Sequence, residues 1–220
     1  MPEKILLVEG IADKSFYESF CKKHLISKGI TVKISTPRDI GGTFNSKQGA
    51  INLLSILLKQ LADEQIECLA MIVDADQVAN GGGFVNTVGQ IAAIAKEFSF
   101  PATPNQLPEG GLVFKSSDGI PDFGLWVMPN NGNEGILENW IIDVVHAGDL
   151  PLFHSAQAAV RALSNPKFKE VKRAKADVAT WLAWQDKPGE SIYYSIEGNL
   201  LDENAELYQG LRIWLDAIFQ

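Results

Sequence analysis

Two cysteines and three histidines are all that the 220 residues offer of sulfur and imidazole metal ligands. Cys21 and Cys68 stand far apart, and His24, His146 and His154 are scattered. The chain therefore carries no disulfide framework and no zinc site with paired spacings. No apolar run approaches the roughly 18 residues of a membrane span, and no charged-then-apolar leader precedes the first apolar stretch. A basic excess is missing too. The formal net charge of -8 argues against a broad electrostatic grip on nucleic acid. A nucleophile elbow, internal repeats and low-complexity tracts are also absent. What remains is an acidic chain expected in the cytoplasm, with no membrane contact. Its 46% hydrophobic content is enough to fill one core.

The apolar residues present are punctuated by acids. Ile5 to Val8 reads as a short buried strand that stops at Glu9-Gly10. Leu69 to Val73 reads as a second, stopping at Asp74-Ala75-Asp76. Between them come a helix with Asp13 in its first turn, running to about Ser27, and an alternating strand over Thr31 to Ser35. A helix follows from about Asn45 to Asp63, with Ile51, Leu54, Leu57, Leu58 and Leu61 at helical spacing. The order β-α-β-α-β with short links predicts parallel strands and right-handed crossovers. The first and third strands can then lie side by side, which brings Glu9 to Asp74 across 65 residues of chain. Carboxylates just past the ends of such strands face the crevice where α/β sheets bind ligands. Asp-x-Asp in an extended segment puts both carboxylates on one side. Oxygen donors of this kind suit a hard cation such as Mg²⁺ or Mn²⁺.

Further along, Ala79 to Gly83 reads as a flexible loop and Phe84 to Glu97 as a helix. Residues 99–110, with three prolines, read as an irregular connection. Gly111 to Lys115 and Gly124 to Met128 read as strands. A helix is expected from Glu134 to about His146, with Asn133 as a candidate cap. On its apolar arc of Leu137, Trp140, Ile141, Val144 and Val145, both Glu138 and Glu134 lie within or beside the buried side. There a carboxylate needs a metal or a cationic partner, unless it reaches solvent at the edge of the arc. Helices over roughly 155–163, 168–184 and 203–218 fill the last third. Gly41-Gly42-Thr43 before a helix is a plausible seat for phosphate, with Lys47 one turn on, or simply a tight glycine loop. Lys167, Lys169, Lys172, Arg173 and Lys175 form the one basic cluster, either a phosphate contact or a solvated face. Trp181 and Trp184 read as core.

Glu9-Gly10 after the first strand, Asp13 three residues on, and Asp74-x-Asp76 after the third strand resemble the Toprim domain over about residues 4–145. Topoisomerases, bacterial primases, recombination-repair proteins and overcoming-lysogenization-defect nucleases share that domain. VEGIADKSFY, DIGG, VDAD, MPNNGNEGILENW and KAKADVATWLAWQDKPG are more closely similar to an uncharacterised bacterial Toprim-related family of unknown function. The resemblance implies that the paired aspartates bind Mg²⁺ and that the glutamate is a general acid, a general base or a metal ligand. The late Leu137-Glu138 resembles the nuclease segment that adds to metal binding. A tyrosine-bearing topoisomerase domain and a zinc ribbon are both missing.

The expectation is an α/β, Toprim-like fold with a mainly parallel sheet flanked by helices. Residues 1–150 would form the α/β domain, and residues 151–220 a helical extension packed on it. The expected activity is that of a Mg²⁺- or Mn²⁺-dependent, nuclease-like enzyme on phosphodiester or phosphate bonds. Its metal ligands would be Glu9, Asp74, Asp76 and Glu138, with Glu9 catalytic. Gly10, Asp13, Gly41, Gly42 and Lys47 would form the phosphate or nucleic-acid contacts. The alternative is a non-catalytic module that binds nucleic acid or nucleotide through the same metal site.

Overall fold

The computed structural model describes residues 2–36 and 46–220. The expected β-α-β-α-β order is present in it: β1 (Glu3–Leu7), α1 (Ile11–His24), β2 (Ile30–Lys33), α2 (Lys47–Ala62) and β3 (Ile66–Asp74). Then follow α3 (Phe84–Lys96), β4 (Asn105–Gln106), β5 (Leu112–Phe114) and β6 (Phe123–Met128). The remainder is helical: α4 (Leu137–Asp143), α5 (Leu150–Arg161), α6 (Arg173–Ala183), α7 (Tyr194–Glu197) and α8 (Glu206–Ile218).

The described strands form one mixed sheet in the order β2-β1-β3-β6-β5-β4. β2, β1, β3 and β6 run parallel, and β5 and β4 extend the sheet antiparallel. β1 does lie beside β3, with Leu7 opposite Met71, so both strands deliver the residues after them to the same edge of the sheet. Every residue of β6 is buried, as expected of a strand covered on both faces.

The strand period of two sorts the core into two clusters. Ile5, Leu7, Leu69, Met71, Val73 and Leu125 face α2 and α3. Leu6, Val8, Ala70, Ile72, Trp126 and Met128 face the other way, against residues of α1, α4, α5, α6, α7 and α8. The C-terminal helices thus share one apolar cluster with the strands. Trp214 of α8 lies 5.5 Å from Trp126 and donates its indole N–H to Leu112 O at 3.2 Å. A Cβ on Gly111 would come within 2.0 Å of the Trp214 ring, so this glycine makes room for the indole.

Several local readings are corrected. The helix expected over 134–146 begins only at Leu137. Gly135, at φ 143, instead forms an antiparallel bridge with Asp76, and Asn139 Oδ1 takes the Ile136 N–H, so the helix cannot start earlier. Glu134 therefore stands outside the helix and accepts the Val78 N–H at 2.8 Å. Ala79 to Gly83 is not a loose loop: Gly83 N–H donates to Ala75 O at 2.7 Å, and a Cβ on Gly82 would meet Ala75 O and Asp76 Cβ at 2.7 Å. Trp181 is fully buried, but Trp184, at the C-cap of α6, is 45% exposed. The short α7 went unread because its apolar residues are too few to show a period. No helix among the described residues is long and apolar enough to cross a membrane.

Candidate functional site

Glu9 and Asp74 meet at the carboxyl ends of β1 and β3. The Asp74 N–H donates to Glu9 Oε1 at 2.8 Å. Asp74 Oδ1 accepts the Leu137 N–H at 2.8 Å, one of the helix-start donors that have no partner within α4. Asp13, in the first turn of α1, accepts the Gly10 N–H at 3.1 Å. That uses the Gly10 donor internally, so it is not offered to a phosphate. Glu138 is 8% exposed and receives both of its contacts from Lys175 Nζ, at 2.9 and 3.0 Å.

These carboxylates lie close enough to feel one another. Burial pushes Asp74 well above the usual range, and repulsion from Glu9, Asp13 and Glu138 adds to it. Asp13 is raised by burial and by Glu138, against the hydrogen bonds it accepts. Lys175 loses some basicity to burial, but Glu138, Asp74 and Asp13 more than restore it. Tyr17, one turn after Asp13 on α1, is 1% exposed. Its hydroxyl has no hydrogen-bond partner among the described residues. Burial, then Asp13 and Asp74, push its pKa far up. A buried hydroxyl without a partner is uncommon, and here the charges around it belong to the acidic cluster.

Asp76 is set apart. Its φ of 60 breaks the extended path after β3, so strand alternation no longer fixes where its side chain points. Its carboxylate pairs with Lys47 Nζ at 3.0 Å. Lys47, expected at a phosphate seat, instead bonds Asp74 O at 2.6 Å, Thr87 Oγ1 at 3.0 Å and Ala75 O at 3.3 Å. Gly41 and Gly42 lie outside the described residues.

The structure therefore gathers Glu9, Asp13, Asp74 and Glu138, with Asp76 and Lys47 at the border. Sequence reading missed Lys175 and Tyr17 as members. Lys175 precedes Val178 by three and Leu182 by seven, so it borders the apolar stripe of α6, and although its side chain is half exposed its ammonium reaches Glu138. Tyr17 follows Asp13 by four and shares its face of α1. Both signals were present as spacing. A cleft of about 170 Å³ reaches Glu138 and Lys175 between Val178, Leu182, Gly189 and Ile192.

Among the described residues, no three histidine, cysteine, aspartate or glutamate side chains form a ready metal cage. The donor set nonetheless fits a hard cation in its chemistry. It is all oxygen, desolvation holds Glu9, Asp13 and Asp74 above the usual carboxylate range, and the Tyr17 hydroxyl nearby has no partner among the described residues. Glu9 and Asp74 would hold the ion, with Glu138 within reach once Lys175 releases it.

Burial gives Glu9 a pH signature. Its carboxyl is pushed up to about 8, chiefly by desolvation, which outweighs the Asp74 N–H and Lys47; Asp13 and Asp76 push the same way as burial. A glutamate in the unfolded chain titrates near 4.5. Between those values the folded state keeps a proton that the unfolded state has lost. This stabilisation is full below pH 4.5 and disappears as pH rises through 8. The free energy of unfolding should fall by about 3 kcal/mol from roughly pH 5 to 8, with Asp74 acting in the same direction. Urea titrations of wild type and Glu9→Gln check this. An undiminished slope in the variant would show that Glu9 is not the group that holds the proton.

Neither the curated proteins nor the solved structures yielded a significant match. The residues that build the sheet, the acidic cluster and the C-terminal helices all fall within one family match spanning residues 3–220, described as "Protein of unknown function (DUF3226)", and the chain belongs to that family.

Proposed function

We propose that the chain is a Mg²⁺- or Mn²⁺-dependent enzyme that acts on phosphodiester or phosphate bonds in the manner of a nuclease. The observation that carries this reading is the joining of Glu9 and Asp74, both half-buried and both raised by desolvation, at the carboxyl ends of adjacent parallel strands. Perturbed carboxyls in such a crevice mark functional sites more often than structural ones. The likeness of Glu9-Gly10 and Asp74-x-Asp76 to the Toprim pattern points the same way. A cytoplasmic location is part of the proposal, and the free cysteines Cys21 and Cys68 fit it.

A bound divalent ion would supply charge to the phosphoryl oxygens and a more acidic water. Glu9 would complete the shell of that ion as a carboxylate, giving up the proton that burial otherwise favours there. Asp74 is held in orientation by the Leu137 N–H, so it needs no reordering to act as a ligand. Glu138 is kept in place by Lys175, whose charge also offsets repulsion among the carboxylates. The nucleic acid or nucleotide would be drawn to these cations and to the ion, because the net charge of the chain is unfavourable.

The test is incubation of the full chain with single- and double-stranded DNA and RNA in Mg²⁺ or Mn²⁺. Wild type is expected to cleave at least one of them, and Glu9→Ala and Asp74→Ala to lose that cleavage. Metal-dependent binding without cleavage would replace the enzyme by a non-catalytic binding module. Neither binding nor cleavage would remove both.

A further inference from the structure

Lys47 makes contacts of the kind a metal ion makes. Its ammonium has three N–H donors and four oxygens around it: Asp74 O, Ala75 O, Asp76 Oδ2 and Thr87 Oγ1, at 2.6 to 3.3 Å. Two are backbone carbonyls at the end of β3, one is a carboxylate and one a hydroxyl. That is a hard-cation donor set. The side chain is 18% exposed while its Asp76 partner is 47% exposed, so the cage is open on the carboxylate side. A cavity of about 300 Å³ lies there, lined by Gln77, Asn80, Asn86 and Gln90 as well as the pair itself. It is large enough for a hydrated ion to arrive.

We infer that Lys47 is the resident cation of this oxygen cage, and that it limits the site to one divalent ion, held by Glu9 and Asp74, by occupying the place a second ion would take at Asp76. The inference rests on the metal-dependent reading above. The chain path supports it. The αL turn at Asp76 accompanies the seating of that carboxylate on Lys47, and the glycine loop packed on Asp76 holds the turn. With its three donors engaged, Lys47 is a fixed positive charge on the second-ion side and not a free phosphate ligand. A lysine that merely tied α2 to β3 would have no bearing on how many ions bind.

The probe is Mn²⁺ alone, titrated into the full chain and followed by calorimetry and by the loss of free-ion electron paramagnetic resonance signal. Wild type is expected to bind one ion per chain. Lys47→Met is expected to bind two, Lys47→Arg one, and the double variant Lys47→Met/Asp76→Asn one. Far-ultraviolet circular dichroism and the melting profile establish that each variant is folded, and Lys47→Gln, which removes the charge but keeps a polar side chain, serves if Lys47→Met does not fold. It is likewise expected to bind two ions, and one ion bound by folded Lys47→Gln would overturn the role of Lys47. Two ions bound by wild type, or one by folded Lys47→Met, would overturn the role of Lys47 and leave the metal-dependent reading standing. No ion in wild type but one in Lys47→Met would uphold Lys47 as resident cation and end that reading. No ion in either would end both.

Discussion

Asp74→Asn should make the protein more stable at pH 8 and inactive at the same time. The carboxyl of Asp74 is buried and surrounded by Glu9, Asp13 and Glu138, which oppose its charge. An asparagine keeps the Oδ1 acceptor for the Leu137 N–H and carries no charge to repel. The expected gain at pH 8 is about 0.5–2 kcal/mol, in the range of substitutions that relieve strain at functional sites. The gain should shrink toward pH 5, because the raised Asp74 carboxyl takes up a proton at higher pH than an ordinary aspartate. Any Mg²⁺-dependent turnover should fall by more than about 100-fold, since even outer-shell changes around a metal cost 10–100-fold. Urea unfolding at the two pH values and a cleavage assay read the two arms separately. A less stable Asp74→Asn at pH 8 would mean the carboxylate is satisfied as it stands. Unchanged turnover would remove Asp74 from the site.

Trp214→Ala is the largest stability loss expected from a single side chain. The indole is fully buried, stacks at an angle on Trp126 and donates to Leu112 O. Removal leaves a cavity under β5 and β6, for about 3–5 kcal/mol. It also leaves the Leu112 carbonyl without that donor, which adds to the cost. Because α8 closes the same apolar cluster as α1, α4 and α6, the loss should appear as one cooperative transition shifted to lower denaturant. A separate early transition confined to the last helices would show that residues 151–220 fold as an independent unit.

How much of this was legible beforehand depends on range. The β-α-β-α-β order, the pairing of β1 with β3 and the approach of Glu9 to Asp74 follow from short apolar runs and helical spacing, which are local signals. Several departures are cases where a contact from elsewhere in the chain overrode the local pattern. The start of α4 moved to Leu137 because Gly135 pairs with Asp76. Asp76 left the extended path of β3 because its backbone turns to αL between Gly135 and the Gly81–Gly83 loop. Lys175 looked like one of five solvated charges until Glu138 was placed opposite it.

The sequence by itself determined which ligand types are available: oxygen donors, only scattered cysteine and histidine, and acids placed where buried strands end. Apolar periodicity and strand termination are properties of neighbouring residues, so they survive without coordinates. Only the tertiary structure decided which acids share a site and what neutralises each. Burial and charge partners come from segments 27 to 65 residues apart, as with Lys47 and Asp74, Glu138 and Lys175, and Asp74 and Glu9. It divided the acids into a half-buried pair of Glu9 and Asp74, both held above the usual carboxylate range, and a lysine-bound Asp76, where a single left-handed residue leaves the extended path of the strand.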